Sequence, residues 1–353
     1  MREIRVGVVG VGNLCSALLQ GIEYYKHLSA SPKGLAYSEL GGYWPGDIQV
    51  VAAVDIDERK VGRDLSEAVF SAPNVIEKLC DVPRLGVKVA MGEVLDGLDD
   101  ISKGFRNVSS SQPKDIAPLF REMGVEIVVN MVPSGSQRAS EWYAEKAIET
   151  SSAFVNVTPS YIASQKSWVE RFRSRGIPVV GDDLMDQVGS TILHKAVLRL
   201  LHDQGAHIGR TYSLDVGGGA ENLASLSPSR KRVKREIKSR SIGSILPYEV
   251  LVTAGTTDFI DFMGDRRESH IKIDGTYFME APFHIDIKME THDSINGAGM
   301  LIDVIRAVKI ALEREISGLL PSVTAYAFKT PSNLPVAEAR SRFEEFIRGE
   351  RER

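Results

Sequence analysis

The sequence predicts an α/β protein: a doubly wound parallel sheet followed by a second α/β domain. Three observations predict it. A short apolar run, Ile4 to Val9, stops at Gly10-Val11-Gly12 and leads into a helix-competent stretch from Ser16 to Ile22. A second apolar run, Ile48 to Val54, ends in an acid, Asp55. Further strand-length runs then alternate with helical stretches, until from Thr191 the character changes to strands that alternate polar and apolar residues.

The first strand and its turn carry the sharpest signal. Gly10 is placed to make a tight turn. Gly12, with no Cβ, lets the backbone approach a phosphate. The helix that follows offers unpaired N–H groups and a partial positive charge to an anion. This is the Rossmann-type layout for a dinucleotide pyrophosphate, although the third glycine position holds Cys15. Asp55 is placed to bond the adenosine ribose hydroxyls, which favours NAD over NADP because a ribose phosphate would be repelled. The gap from turn to acid is roughly twice the usual ~20 residues, and the stretch from Tyr24 to Asp47 carries the excess. An ordinary glycine turn in an α/β protein is the alternative reading of the same residues.

The chain has 353 residues, enough for two domains that each bury a sizeable core. A net charge of −4 gives no electrostatic case for a nucleic-acid or membrane partner. Two cysteines, Cys15 and Cys80, argue against a disulfide framework and for a reducing compartment. No apolar run reaches transmembrane length, and Met1-Arg2-Glu3 leads straight into a strand, leaving no room for a signal peptide. A cytoplasmic protein is expected.

Taken in order, Leu28 to Gly46 reads as a long loop, either a functional lid or a plain surface excursion. Asp57 to Phe70 reads as a helix with Val61, Leu65 and Val69 on one face. Val87 to Ala90 suits a short edge strand, Asn107 to Lys114 a polar linker, and Pro118 to Met123 a helix. Val125 to Val132 is a strand-length run followed by Pro133-Ser134-Gly135-Ser136 and a helix from Gln137 to Glu149. Ala153 to Val157 ends in Thr158-Pro159-Ser160, and Ile177 to Val180 ends in Gly181-Asp182-Asp183. Ligands of doubly wound sheets lie beyond the carboxyl ends of the strands, so these small polar ends are candidate contacts. Turn chemistry favours the same residue types.

Thr191 to His202 is a helix, and Arg210 to Val216 a strand running into Gly217-Gly218-Gly219. A basic run follows from Arg230 to Arg240; by spacing alone it reads as a solvated face or a nucleic-acid patch. His270 to Ile273 and His284 to Met289 alternate as in a sheet with one covered face. Ala298 to Arg314 is a helix, and Ala337 to Arg353 a charged helix for the surface. The histidines show no metal-ligand spacing, so no metal site is assigned. A divalent ion on Asp182 or Asp183 is the one alternative.

Several blocks occur together: Gly10-Val11-Gly12-Asn13 with Gly21 to Tyr25, Gly46-Asp47-Ile48 leading to Asp55-Ile56-Asp57, and Lys60-Val61-Gly62. Pro159 follows, then Gly181-Asp182-Asp183 with Gln187-Val188-Gly189, and Asp293-Ser294. In these the chain resembles the inositol-phosphate synthase family in its short prokaryotic form, from about Val6 to Phe346. The resemblance implies an NAD-binding domain (1–190), a catalytic and oligomerisation domain (191–297) and a segment (298–353) returning to the first. It implies a homotetramer and an isomerisation of glucose 6-phosphate to an inositol monophosphate, with NAD regenerated in each turnover.

The resemblance also implies site residues. The family's lysine pair, spaced Lys-x-x-x-Lys, matches Lys234 and Lys238. A third lysine is replaced here by Arg267, in Gly264-Asp265-Arg266-Arg267, and a fourth matches Lys329. Cofactor contacts fall on Gly10, Gly12, Asn13, Leu14, Asp55, Pro133, Thr158, Asp182, Asp293 and Ser294. Crowded cations depress lysine pKa values, so one lysine can act as base, whereas Arg267 stays protonated. The chain departs from the family's Gly-Asp-Asp-x-Lys-Ser block, with Met185 for the lysine and Asp186 for the serine. It also has glycine from Gly217 to Gly219 where the family has a glycine–asparagine loop. A carboxylate at Asp186 would repel a nearby phosphate. A paralogue acting on another sugar, a plain NAD-dependent oxidoreductase, and a protein that binds NAD or nucleic acid without catalysis are the alternatives.

Overall fold

A computed structural model describes residues 2–26, 33–98 and 107–352. Seven strands make one parallel sheet: β1 (Ile4–Val9), β2 (Ile48–Asp55), β3 (Val89–Met91), β4 (Ile127–Asn130), β5 (Ala153–Asn156), β6 (Pro178–Val180) and β11 (Gly318–Leu319). Their order is β11-β6-β5-β4-β1-β2-β3, with every pairing parallel. The central strands read as unbroken apolar runs because helices cover both faces. Along β4, Ile127 and Val129 enter one core while Val128 enters the other, as the two-residue period of a strand requires.

One face is covered by α1 (Asn13–Lys26) and the other by α3 (Ile116–Glu122), α4 (Gln137–Thr150) and α5 (Lys166–Ser174), with the short α2 (Leu65–Ala68) at the β3 edge. After α6 (Ser190–Asp203) a four-stranded mixed sheet begins. It comprises β7 (His207–Gly217), β8 (Leu251–Phe259), β9 (Arg266–Thr276) and β10 (Pro282–His292), in the order β10-β9-β7-β8. Between β7 and β8 lie α7 (Ala220–Ala224) and α8 (Pro228–Gly243). Leu198 of α6 and Ile242 of α8 pack with Ile208, Ala254, Ile271 and Ile273 on the covered face of this sheet. The chain then returns through α9 (Asp293–Glu313), β11, α10 (Pro321–Ala327) and α11 (Val336–Arg348) to the first sheet. Among the described residues no helix is long and apolar enough to cross a membrane.

Several expectations are corrected. Of Asp57 to Phe70, only α2 is helical. The side chain of Asp57 accepts the Arg59 N–H at 2.9 Å, and Asp64 caps α2 by accepting the Ser66 N–H. Such local side-chain bonds compete with helix. The C-terminal helix is not only a surface element, since Phe343 and Phe346 are fully buried. The helix expected from Ala298 begins at Asp293. The helices α5, α7, α8 and α10 and the strand β8 escape the sequence reading. Part of the long loop, residues 28–32, lies outside the described residues. Its described remainder is tied down by Arg306, which donates to the carbonyl oxygens of Tyr37, Ser38 and Tyr43.

Candidate active site

The turn after β1 is built as the sequence predicts. Gly10 has φ +93°, and a Cβ there would meet the Met131 carbonyl oxygen at 2.7 Å. Only glycine fits that approach to β4. Gly12 is different: a Cβ there would meet no atom within 4 Å. Its open side faces the cavity, where a ligand can lie against bare backbone. Asn13 opens α1 and fixes the far rim of the turn, its Oδ1 accepting the Val75 N–H at 2.9 Å. At the end of β2, Asp55 accepts the Val11 N–H at 2.7 Å with one oxygen and the N–H groups of Ile56 and Asp57 with the other. Lys60 turns inward, and its Nζ donates to the Val11 carbonyl at 2.6 Å. Cys15, in place of a third glycine, is fully buried, and that burial pushes its thiol up to about 12. It is a core residue.

The turn opens into a cavity of about 300 Å³ between the two sheets. Gly10, Gly12, Asn13, Leu14, Asp55, Pro133, Thr158, Asp293 and Ser294 line it, as do Lys234, Lys238, Arg267 and Lys329. Asp182 does not line it. That side chain is fully buried and accepts from the backbone of Ile162, Ala163 and Ser164, from Ser164 Oγ and from Asn156. It holds the turn after β5, while its neighbour Asp183 reaches the cavity. Thr158 Oγ1 is buried at the wall without a hydrogen-bond partner among the described residues.

Each cation meets a carboxylate. On α8, Lys238 pairs with Asp215 of β7 at 2.5 Å and donates to Ser190 Oγ at 2.9 Å. One turn earlier, Lys234 pairs with Glu221 of α7 at 2.8 Å and donates to Ser225 Oγ at 2.9 Å. Lys329, just after α10, pairs with Asp183 at 2.5 Å. On β9, Arg267 lies 2.7 Å from Asp293 and 3.6 Å from Asp186. Asp265 anchors the start of α9 by accepting from both N–H and Oγ of Ser294.

These contacts set the charges. Burial lowers the Lys238 ammonium; Arg267 and Lys329 add to this, and Asp215 opposes it. Burial pushes Asp215 up, but Lys238 and Arg267 outweigh it and hold the carboxyl well below the usual range. Burial likewise opposes Lys234 at Glu221, which ends at about 2. Asp186 goes the other way: burial and Asp293 push it up to about 6 against the pull of Arg267.

Asp183, Asp186, Asp215 and Glu221 were not singled out as partners of these cations by the sequence. Asp183 stood out only as a strand end and Asp186 only as a departure from the family's block, while Asp215 left a trace as an acid in register with Ser213 and Thr211 on the buried side of an alternating strand. Among the described residues no cluster of His, Cys, Asp and Glu has the arrangement of a metal site.

A glycine turn with an open phosphate side, joined to a cavity walled by lysines from a second domain, defines a dinucleotide-dependent enzyme of small-molecule chemistry. Residues 189–294 match the family model of myo-inositol-1-phosphate synthase. The chain is 38% identical over 357 residues to the inositol-3-phosphate synthase of Mycolicibacterium smegmatis, covering 98% of each. It is 38% identical over 355 residues to that of Corynebacterium glutamicum, again covering 98% of each. It shares its fold with a myo-inositol-1-phosphate synthase-related protein from Thermotoga maritima, with TM-score 0.84, 23% identity and 98% coverage of both chains. The chain belongs to the inositol-3-phosphate synthase family.

Proposed function

We propose that this protein converts glucose 6-phosphate to an inositol monophosphate by internal oxidation, aldol closure and reduction, with NAD recycled in every turnover. One observation carries the reading: Lys234, Lys238, Arg267 and Lys329, from three separate parts of the chain, wall the same cavity as the glycine turn of β1. The residues present suit NAD. Gly12 is open on the cavity side, Asp55 stands at the end of β2, and the buried Thr158 hydroxyl lacks a partner among the described residues. Bound there, NAD supplies a hydride acceptor and donor.

The remaining chemistry falls to the chain's own groups. The enolate and alkoxides of an aldol closure need cations that are already in place. Lys234, Lys238, Lys329 and Arg267 provide them without reorganisation, because each is held by a carboxylate. Lys238, whose ammonium is disfavoured by burial, is the group suited to give up and take back a proton. Ser190 and Ser213 hold its Nζ in place. Arg267 stays charged and serves as a fixed clamp.

Residues 1–190 act as the cofactor domain, 191–297 as the catalytic and assembly domain, and 298–353 as the segment that completes the first. The enzyme works in the cytoplasm as a homotetramer. Exposed Leu251, Phe262, Phe278 and Met279 at the ends of the second sheet support that assembly.

Two measurements test the reading. Gly12→Val fills the open side of the turn and is expected to weaken NAD binding about 10-fold or more, read by titration of the folded variant. The function itself is tested by NMR of glucose 6-phosphate with enzyme and NAD. A cyclitol phosphate with no accumulation of NADH is expected. An unchanged spectrum from NAD-loaded enzyme, beside an active control synthase, overturns that substrate.

A further inference from the structure

One corner of the cavity has hydrogen-bonding capacity that the chain itself leaves unused. Arg267 Nε is buried and, among the described residues, has no acceptor. Among the described residues, the Asp186 carboxylate takes no hydrogen bond, and its ion-pair partner, Arg267 Nη1, is 3.6 Å away. Both side chains line the cavity, and Asp293 occupies the other end of the guanidinium. A charged donor and a charged acceptor therefore stand side by side on the cavity wall.

Three groups can be weighed against that pair. A phosphate dianion offers acceptors only. It would pair with the Arg267 guanidinium but bring two negative charges against Asp186 and Asp293. An ammonium offers donors only and would meet Arg267. A hydroxyl both donates and accepts, so neighbouring hydroxyls give a proton to Asp186 and take one from Arg267.

We propose that Asp186 is a specificity-determining residue: it makes the Asp186–Arg267 corner a seat for neighbouring sugar hydroxyls and closes that corner to a phosphate dianion. The inference rests on the sugar-phosphate reading of the cavity and deepens it. The hydroxylated end of the substrate faces this wall, and its phosphate lies away from it.

Asp186→Asn and Asp186→Ser test the proposal in the NAD-loaded full chain at pH 7.5, by calorimetric titration. Sulfate serves as a dianion whose charge is fixed at that pH, and myo-inositol as a neutral polyol. Both variants are expected to bind sulfate about 10-fold more tightly than the unaltered protein and myo-inositol more weakly. Sulfate affinity unmoved in either folded variant, or myo-inositol affinity retained, overturns the proposal. So does displacement of myo-inositol by sulfate from the unaltered protein, a measurement that needs no variant to fold.

Turnover keeps this separate from the synthase reading. Conversion of glucose 6-phosphate with sulfate affinity unmoved sinks the corner alone. A gain in sulfate binding without any conversion sinks the substrate alone.

Discussion

Lys238→Ala is expected to lower kcat by about 10²–10³-fold or more, the usual loss when a preorganised donor to developing charge is removed. The Lys238 side chain is almost fully buried against Asp215, Ser190 and Ser213 at the cavity wall. The substitution also strands the Asp215 carboxylate, and breaking one half of a buried pair commonly costs about 3–5 kcal/mol. Rate and stability must therefore be read separately. The double variant Lys238→Ala with Asp215→Ala removes the stranded charge, so it is expected to regain stability but not rate. Cyclitol phosphate formation, NAD affinity and Tm, measured on both, make the distinction. A near-normal kcat in a folded, NAD-binding Lys238→Ala protein would remove this lysine from the chemistry.

The largest stability effect is expected at Arg306→Ala. This guanidinium is fully buried, pairs with Asp303 at 2.5 Å and donates to three carbonyl oxygens of the loop before β2. Its loss leaves Asp303 in the core without its ion-pair partner and the Tyr37 and Ser38 carbonyls without this donor, for about 3–5 kcal/mol. The effect has a pH signature. Burial already pushes Asp303 up to about 6, against the opposing pull of Arg306. Removing Arg306 raises it further. An acid whose folded pKa lies above its unfolded value binds a proton more readily when folded, so stability falls as pH rises between the two values. The deficit of Arg306→Ala is therefore smaller at pH 5 than at pH 8. Urea unfolding at the two pH values checks this; an equal deficit at both would show that Asp303 carries none of the cost.

Much of this could be read along the chain, for identifiable reasons. The β1 turn announces itself because its glycines, strand and helix are contiguous, and the doubly wound sheet because buried strands are unbroken apolar runs. What was lost is what depends on folding at a distance. The basic run from Arg230 to Arg240 gives no amphipathic signal, because the inward face of α8 carries Arg230, Lys238 and Ser241 beside Ile237 and Ile242. Its buried side is polar. The strand β8 is Thr-rich and carries Gly255, where a Cβ would lie 3.5 Å from the Arg235 backbone, so close packing against α8 takes the place of side-chain alternation. Asp182 and Asp183 are adjacent in sequence and turn opposite ways, one into the turn after β5 and one into the cavity. The departure at Asp186 was visible, but only folding brings it beside Arg267.

The return of the chain to its first sheet has a consequence for synthesis on the ribosome. The face of that sheet beside α1 is completed by Met300, Leu301, Val304, Ile305 and Val308 of α9, and by Phe328, Phe343 and Phe346 after it. Lys329, on the cavity wall, emerges among the last of these. A nascent chain thus carries its opening strands with one apolar face uncovered until translation is almost finished. Long-range closure of this kind slows folding and leaves the intermediate prone to aggregation. Chains released early, short of α9, would hold the glycine turn but neither a closed core nor a complete site, and would be substrates for chaperones and proteases.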